Sequence, residues 1–231
     1  MLVILALSAF AAAPAGAAAC PPLAPARQSR ALEVVRGPLT VRREPRLDAP
    51  VVGSFGLRTS EGVTRVFLAL DRIDGPGCRQ LWFRVELPQR PNGATGWIPA
   101  DRVRPYLVDL RLRLDRSGRR LTVLRRGRVI RRLIVGVGRR STPTPLGSFY
   151  VYERLSLANP RGVYGPGALG ISAFSNVLTG WAQGGPVAIH GTSDPTTIGR
   201  DASNGCVHVH NEQMRWLLRV VVPGTPIDVL R

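Results

Sequence analysis

The stretch His190–Gln213 reads HGTSDPTTIGRDASNGCVHVHNEQ, and the three histidines of the chain, His190, His208 and His210, all fall in it around Cys206. Cys206, His208 and His210 alternate with Val207 and Val209. In an extended segment the valines then face a core, while the thiol and both imidazoles share the opposite face. Ser203-Asn204-Gly205 supplies a turn just ahead, where glycine adopts backbone conformations that other residues resist. Backbone N–H groups around such a turn can converge on one point and form an oxyanion hole. A thiol of ordinary pKa, about 8.5, is only a few per cent thiolate at neutral pH, and a nearby imidazole can take its proton. Nucleophile, base and oxyanion donors together point to acyl transfer through a thioester. The same Cys/His set has the size that zinc takes. A Cys–His catalytic pair explains the flanking glycine and serine residues better, so no metal is assigned.

Downstream, NEQMRWLLRVV predicts the one clear helix. Asn211 is placed as its N-cap, and Met214, Leu217, Leu218 and Val221 follow the spacing of a buried stripe. Pro223-Gly224 ends it and PIDVLR gives a last strand. Upstream, VAIH delivers His190 at a strand end, and GSFYVYERL forms another strand after STPTPLG. LVDLRLRL, RRLTVLRR and VIRRLIVGVG, joined by DRSG and RRG turns, alternate Leu and Val with Arg, as half-buried antiparallel strands do. Tyr164 and Trp181 are loop aromatics able to line a groove. Pro105 marks a boundary. Before it, from Ala31, the runs ALEVVR, LTVRREP, VTRVFLAL, LWFRVEL and TGWIP, broken by RIDGPG and PQRPNG, predict a small β-barrel.

The composition places this chemistry outside the cytoplasm. The chain has 32 basic and 15 acidic residues, a net charge of +17, and every basic side chain counted is arginine. These arginines are scattered over both halves, with no zinc-finger spacing or aromatic RNA-binding signature, which argues against nucleic acid and for an anionic cell envelope. The N-terminal MLVILALSAFAAAPAGAAAC has the apolar run and the A-x-A ending of a secretory signal, too short to span a membrane. Cys20 follows Ala19 directly, as a lipid-anchored cysteine would, but Ala17 stands where a lipobox prefers leucine; simple export is favoured. No other segment is long and apolar enough to be a transmembrane helix. Three cysteines in an oxidising compartment leave one unpaired. Cys20 and Cys78 can pair, tying the mature N-terminus to the first domain and leaving Cys206 free.

With the motifs in order — the VDL strand, the TPTPLGSF turn, NPRGVYGP, HGT and S-N-G-C — the second half resembles the catalytic domain of the L,D-transpeptidases (the YkuD family). The resemblance runs from about Tyr106 to Arg231. The order LTVRREPRLDAPVVGSF, LWFRVEL, GWIPADRV resembles the bacterial SH3-like domains attached to cell-wall enzymes. After a signal peptide over 1–19 and a leader over 20–30, the resemblances imply a mainly β chain: an SH3-like barrel over 31–105, and over 106–231 an L,D-transpeptidase β-sandwich with one helix near its C-terminus. They imply Cys206 as nucleophile, His190 as base, and the backbone amides of Asn204, Gly205 and Cys206 as oxyanion hole. Ser203, His208, Tyr164, Gly191 and Thr192 are assigned to substrate binding. The implied substrates are peptidoglycan stem peptides in the cell wall or periplasmic space, with no cofactor, and anionic wall polymers suit the basic surface. Two positions depart from the family: Asn204, where His, Lys or Arg is usual, and His208, where Arg or Asn is common. An unperturbed His208 would be about one quarter cationic at pH 7.

Overall fold

The computed structural model describes residues 19–180 and 185–231. The proposed export signal, apart from Ala19, and Trp181 lie outside the described residues. Among the described residues no helix is long and apolar enough to cross a membrane.

Seven strands form the first sheet: β1 (Ser29–Val34), β2 (Leu39–Arg42), β3 (Val51–Phe55), β4 (Val66–Asp74), β5 (Gln80–Glu86), β6 (Thr95–Pro99) and β7 (Val103–Val108). Their order is β3-β2-β6-β5-β4-β1-β7, every neighbour antiparallel. Alternation decides which side is buried. In β2, Leu39 and Val41 turn inward while Thr40 and Arg42 are half-buried. With Leu32, Val34, Phe67, Phe83, Val85, Leu87 and Ile98 they fill one core. Two strands have no counterpart among the runs picked out from the sequence. β3 carries Gly53 and an exposed Val51 at the sheet edge, a pattern too weak to read. β7 runs straight through Pro105, which sits in the outermost strand where a missing N–H is tolerated. The chain changes sheets at Asp109, four residues later. Cys20 and Cys78, 58 residues apart, form a disulfide with a Cα–Cα distance of 5.5 Å. Arg72 also donates to the Pro21 carbonyl, so the start of the leader lies against the first sheet.

The second sheet uses β8 (Leu110–Asp115), β9 (Arg120–Arg125), β10 (Arg128–Ile134), β12 (Gly147–Ser156), β13 (Gly167–Phe174), β14 (Pro186–His190), β16 (Val207–His208) and β17 (Pro226–Leu230). A separate parallel pair joins β11 (Val137–Gly138) to β15 (Asp201–Ser203). The main order is β10-β9-β8-β17-β12-β13-β14-β16. β12 is the hinge of this sheet: Gly147–Tyr150 pair with β17, and Val151–Ser156 pair with β13. One long strand thereby serves two half-sheets, as at the corners of sandwich folds. Between them and helix α1 (Asn211–Val220) lies the larger core, with Leu112, Leu121, Phe149, Leu169, Ile189, Val207 and Met214. Met214, Leu217 and Val221 bury the expected stripe completely, and Leu218 packs at its edge. The β9–β10 turn places Arg126 and Gly127 at φ 47° and 79°, the double left-handed turn that suits a tight hairpin. β13 reads GALGISAF, with no polar alternation, because nearly all of it is buried. Its Gly167 lies so close to β12 that a Cβ would sit 2.2 Å from the Leu155 carbonyl.

The two sheets meet through buried polar contacts. Ser172 on β13 donates to Glu86 Oε1 at 2.6 Å and accepts from the Tyr150 N–H at 3.0 Å, while the Tyr150 hydroxyl reaches the Val66 carbonyl at 3.3 Å. Burial pushes the Glu86 carboxyl up to about 7, against the opposing Ser172 hydrogen bond. A carboxyl raised on folding favours the native state below its unfolded pKa, and that advantage is lost as pH rises through the folded value. Glu86→Gln keeps an acceptor for Ser172 and removes the buried charge. Its stability relative to wild type should therefore climb between about pH 4.5 and pH 7, by on the order of 3 kcal/mol. Denaturant melts at both pH values check this; equal differences would place the Glu86 carboxylate in contact with solvent.

Candidate active site

β14 is buried at Val187 and Ile189 and ends on His190, which is 4% exposed. β16 runs parallel to it, with Ile189 opposite Val207 and His190 opposite His208. On the far side, Gly136 and His208 exchange backbone hydrogen bonds at 2.8 and 2.9 Å. Val207 and Val209 are fully buried. The alternation read from the sequence therefore holds at the position where it matters: Cys206 and His208 turn away from the core. Together with His190 they line one pocket of about 340 Å³. The His190 and His208 ring centroids are 4.7 Å apart, and Tyr164 stands edge-on to His190 at 4.9 Å.

The His190 Nδ1 lies 2.5 Å from the Gly191 carbonyl. A carbonyl only accepts, so Nδ1 carries the proton and Nε2 keeps its lone pair. Burial pushes His190 down to about 4, with the Gly191 bond opposing and the His208 charge adding slightly. Cys206 is half-buried, and burial pushes its thiol up, opposed by a hydrogen bond with the Ala188 backbone. Both shifts favour the uncharged forms, so the resting pair is thiol and neutral imidazole. Burial also lowers His208, whose Nδ1 lies 3.0 Å from Thr197 Oγ1. The protonated fraction at neutrality is then smaller than the quarter expected for an unperturbed histidine.

The turn before Cys206 is held from inside and outside. Ser203 Oγ donates to the Cys206 carbonyl at 2.6 Å and accepts from the Gly205 N–H at 3.1 Å. Gly205 has φ 123°, a conformation for which glycine is suited. Thr144 Oγ1 binds the Gly205 carbonyl at 2.9 Å, while Thr142 Oγ1 and the Arg139 N–H bind the Ser203 carbonyl. Arg139 adds guanidinium bonds to the Ala202 and Ser203 carbonyls and also lines the pocket. The TPTPLG segment is thus a brace for the turn that carries Cys206. Its threonines and Arg139 were not picked out as site residues because their partners lie some sixty positions away.

Several assignments change. The Gly205 amide donates to Ser203 Oγ, whereas the Asn204 and Cys206 amides make no hydrogen bond within the described residues. Ser203 lines the pocket, but its hydroxyl serves the turn. Gly191 does not line the pocket; it accepts from His190 and packs so tightly that a Cβ would lie 2.4 Å from Asn211 Oδ1. Asn211 is the first helical residue, with His210 in the cap position; its side chain instead accepts from the Thr192 N–H at 2.8 Å. That bond fixes the HGT segment, and Thr192, His208 and Tyr164 all line the pocket. His210 is exposed at the helix start, outside it.

The pattern described as the YkuD L,D-transpeptidase catalytic domain matches residues 109–229, from the first residue after β7 to the last strand. The chain belongs to this family. It is 30% identical over 127 residues to a protein named putative L,D-transpeptidase YkuD from Bacillus subtilis, covering 55% of this chain and 70% of that one. It is also 30% identical over 125 residues to L,D-transpeptidase 1 of Mycobacterium tuberculosis, covering 49% and 47%. Among solved structures, an Enterococcus faecium L,D-transpeptidase mutant aligns at TM-score 0.42 and 24% identity over 53% of this chain and 50% of that chain. An L,D-transpeptidase from Mycobacterium tuberculosis aligns at 0.45 and 15% over 72% and 90%.

The electrostatics of the pair make a prediction. Alkylation of Cys206 by iodoacetamide should rise continuously from about pH 6 to about pH 9, because the thiol titrates above its ordinary range. A plateau below neutral pH would show a resting thiolate instead.

Proposed function

We propose that this L,D-transpeptidase-family chain forms peptidoglycan cross-links through a thioester on Cys206. The observation that carries the reading is the convergence on one pocket of a free thiol, an imidazole with an open Nε2 and two unengaged amides. In this mechanism Cys206 Sγ attacks the carbonyl of the third stem-peptide residue while His190 Nε2 takes the thiol proton. The negative charge on the carbonyl oxygen is held by the Asn204 and Cys206 N–H groups. Collapse expels the terminal D-alanine, whose amine leaves with the proton from His190. The amine of a neighbouring stem then attacks the thioester, His190 removes its extra proton, and Cys206 regains a proton as it leaves. Because the resting pair is uncharged, proton transfer accompanies attack rather than preceding it.

His208, placed beside His190 with its Nδ1 on Thr197, works in this reading as a neutral hydrogen-bonding group on the groove wall rather than as a cation. Arg139 supplies a fixed positive charge on the same rim. The same thioester resolved by water would make the protein an L,D-carboxypeptidase, and the acceptor decides between them. A first-sheet barrel that binds the wall without chemistry is the remaining alternative, as is attraction of the basic surface to anionic wall polymers. Export of the chain, by the N-terminal signal, belongs to the same proposal.

Incubation with a tetrapeptide stem, with and without an amine acceptor, followed by mass spectrometry, tests the proposal. The expected adduct is protein plus peptide less D-alanine, absent in Cys206→Ala. With the acceptor present a cross-linked product appears. His190→Ala should slow adduct formation by about 100-fold to 10,000-fold, the range for loss of a general base. An adduct retained in Cys206→Ala, or hydrolysis unaffected by the acceptor amine, would refute the cross-linking assignment.

A further inference from the structure

Part of the pocket wall comes from the segment between β13 and β14, through Ser175, Leu178, Gly185 and Pro186. Its base is closed internally: the Ser175 N–H donates to the Gly185 carbonyl at 2.8 Å, and Ser175 Oγ accepts from the Val177 and Leu178 N–H groups. The same root is also gripped from the other sheet. Asn92, in the turn between β5 and β6, pairs with Phe174 as a strand would. Its Oδ1 accepts from the Phe174 N–H and its Nδ2 donates to the Phe174 carbonyl, both at 2.8 Å. The same Nδ2 lies 3.2 Å from Asn176 Oδ1. Arg90 donates to the Ser175 carbonyl at 2.5 Å and to the Leu178 carbonyl at 3.4 Å, with its guanidinium 5.6 Å above the Phe174 ring. These partners are more than eighty residues away in sequence.

Two side chains of the first sheet thus engage consecutive backbone groups at the root of one groove wall. Neither residue belongs to the core of the first sheet, and among the described residues neither is hydrogen-bonded to Cys206 or His190. We propose that Arg90 and Asn92 are positioning residues for the acyl-transfer reaction, and that the first sheet acts as a clamp fixing the wall against which an extended acyl-donor peptide lies. This rests on the thioester reading above and extends it to a part of the chain outside the family match. The physical reason is orientation: a reacting group misplaced by about 1 Å loses about 100-fold in rate. A small electrophile that needs no groove should be indifferent to the clamp, whereas a stem peptide should not.

The test uses the full chain as wild type, Asn92→Ala, Arg90→Ala and Arg90→Lys, comparing acylation by a stem tetrapeptide with alkylation by iodoacetamide. The expected result is peptide acylation slowed by about tenfold or more in both alanine variants, with alkylation within about twofold of wild type. Arg90→Lys, which keeps the charge and a donor but loses the planar guanidinium above Phe174, should fall between. Unchanged peptide acylation, or both rates falling together, overturns the clamp. If the wild type alkylates but gives no peptide adduct, the functional reading fails separately. Hydrogen exchange then decides the clamp: faster exchange over Phe174–Leu178 in Asn92→Ala supports it, and unchanged exchange overturns it.

Discussion

Val207 and His208 lie parallel to Ile189 and His190, with Gly136 bonded to His208 from the other side, and the position of every reactive group follows from that short pairing. Strand side chains alternate, so a slip of one residue would bury the Cys206 thiol and expose two valines. Val207, Val209 and Ile189 are all fully buried, and each such burial is worth about 1.5–3 kcal/mol. The register is therefore enforced by apolar burial behind the site rather than by contacts within it. On this frame the Ser203–Cys206 turn needs only to be kept from collapsing, which the TPTPLG threonines and Arg139 do from outside.

The same burial sets the chemistry. Desolvation opposes charge on both members of the pair, lowering His190 to about 4 and raising Cys206. Its effect on His190 has a cost in acid: a histidine depressed on folding contributes stability above its unfolded pKa, near 6.5, that drains away as pH falls toward the folded value. Glu86 at the contact between the sheets acts in the opposite direction over nearly the same interval, being raised to about 7. The two groups offset one another through mildly acidic pH, and the His190 imidazole stays neutral at neutral pH.

How much of this was visible beforehand depends on the range of each interaction. The Cys206–Val209 alternation, the helix stripe of Met214 and Leu217, and the Arg-rich hairpins are local patterns, and the structure places them as read. β13 escaped because a strand buried on both faces shows no alternation and because its glycines answer to Leu155 and Glu153 on β12. Asn211 was misplaced as a cap because sequence shows its preference for helix starts but not the rival Thr192 amide. The turn offers three amides to a reader of the sequence, and the Ser203 hydroxyl that accepts from the Gly205 amide is visible only in the folded chain. The grip of Arg90 and Asn92 on the pocket wall has no local signature at all.

A buried, neutral His190, protonated at Nδ1 by its bond to Gly191, leaves Nε2 as the acceptor it can offer to the pocket it shares with Cys206. Nitrogen-15 NMR of the histidines, titrated from acid to neutral pH, reads both the tautomer and the charge. The account predicts a neutral His190 at pH 7 in the Nδ1–H form, taking up a proton only near pH 4. A His190 that is imidazolium at pH 7, or neutral with its proton on Nε2, would contradict it.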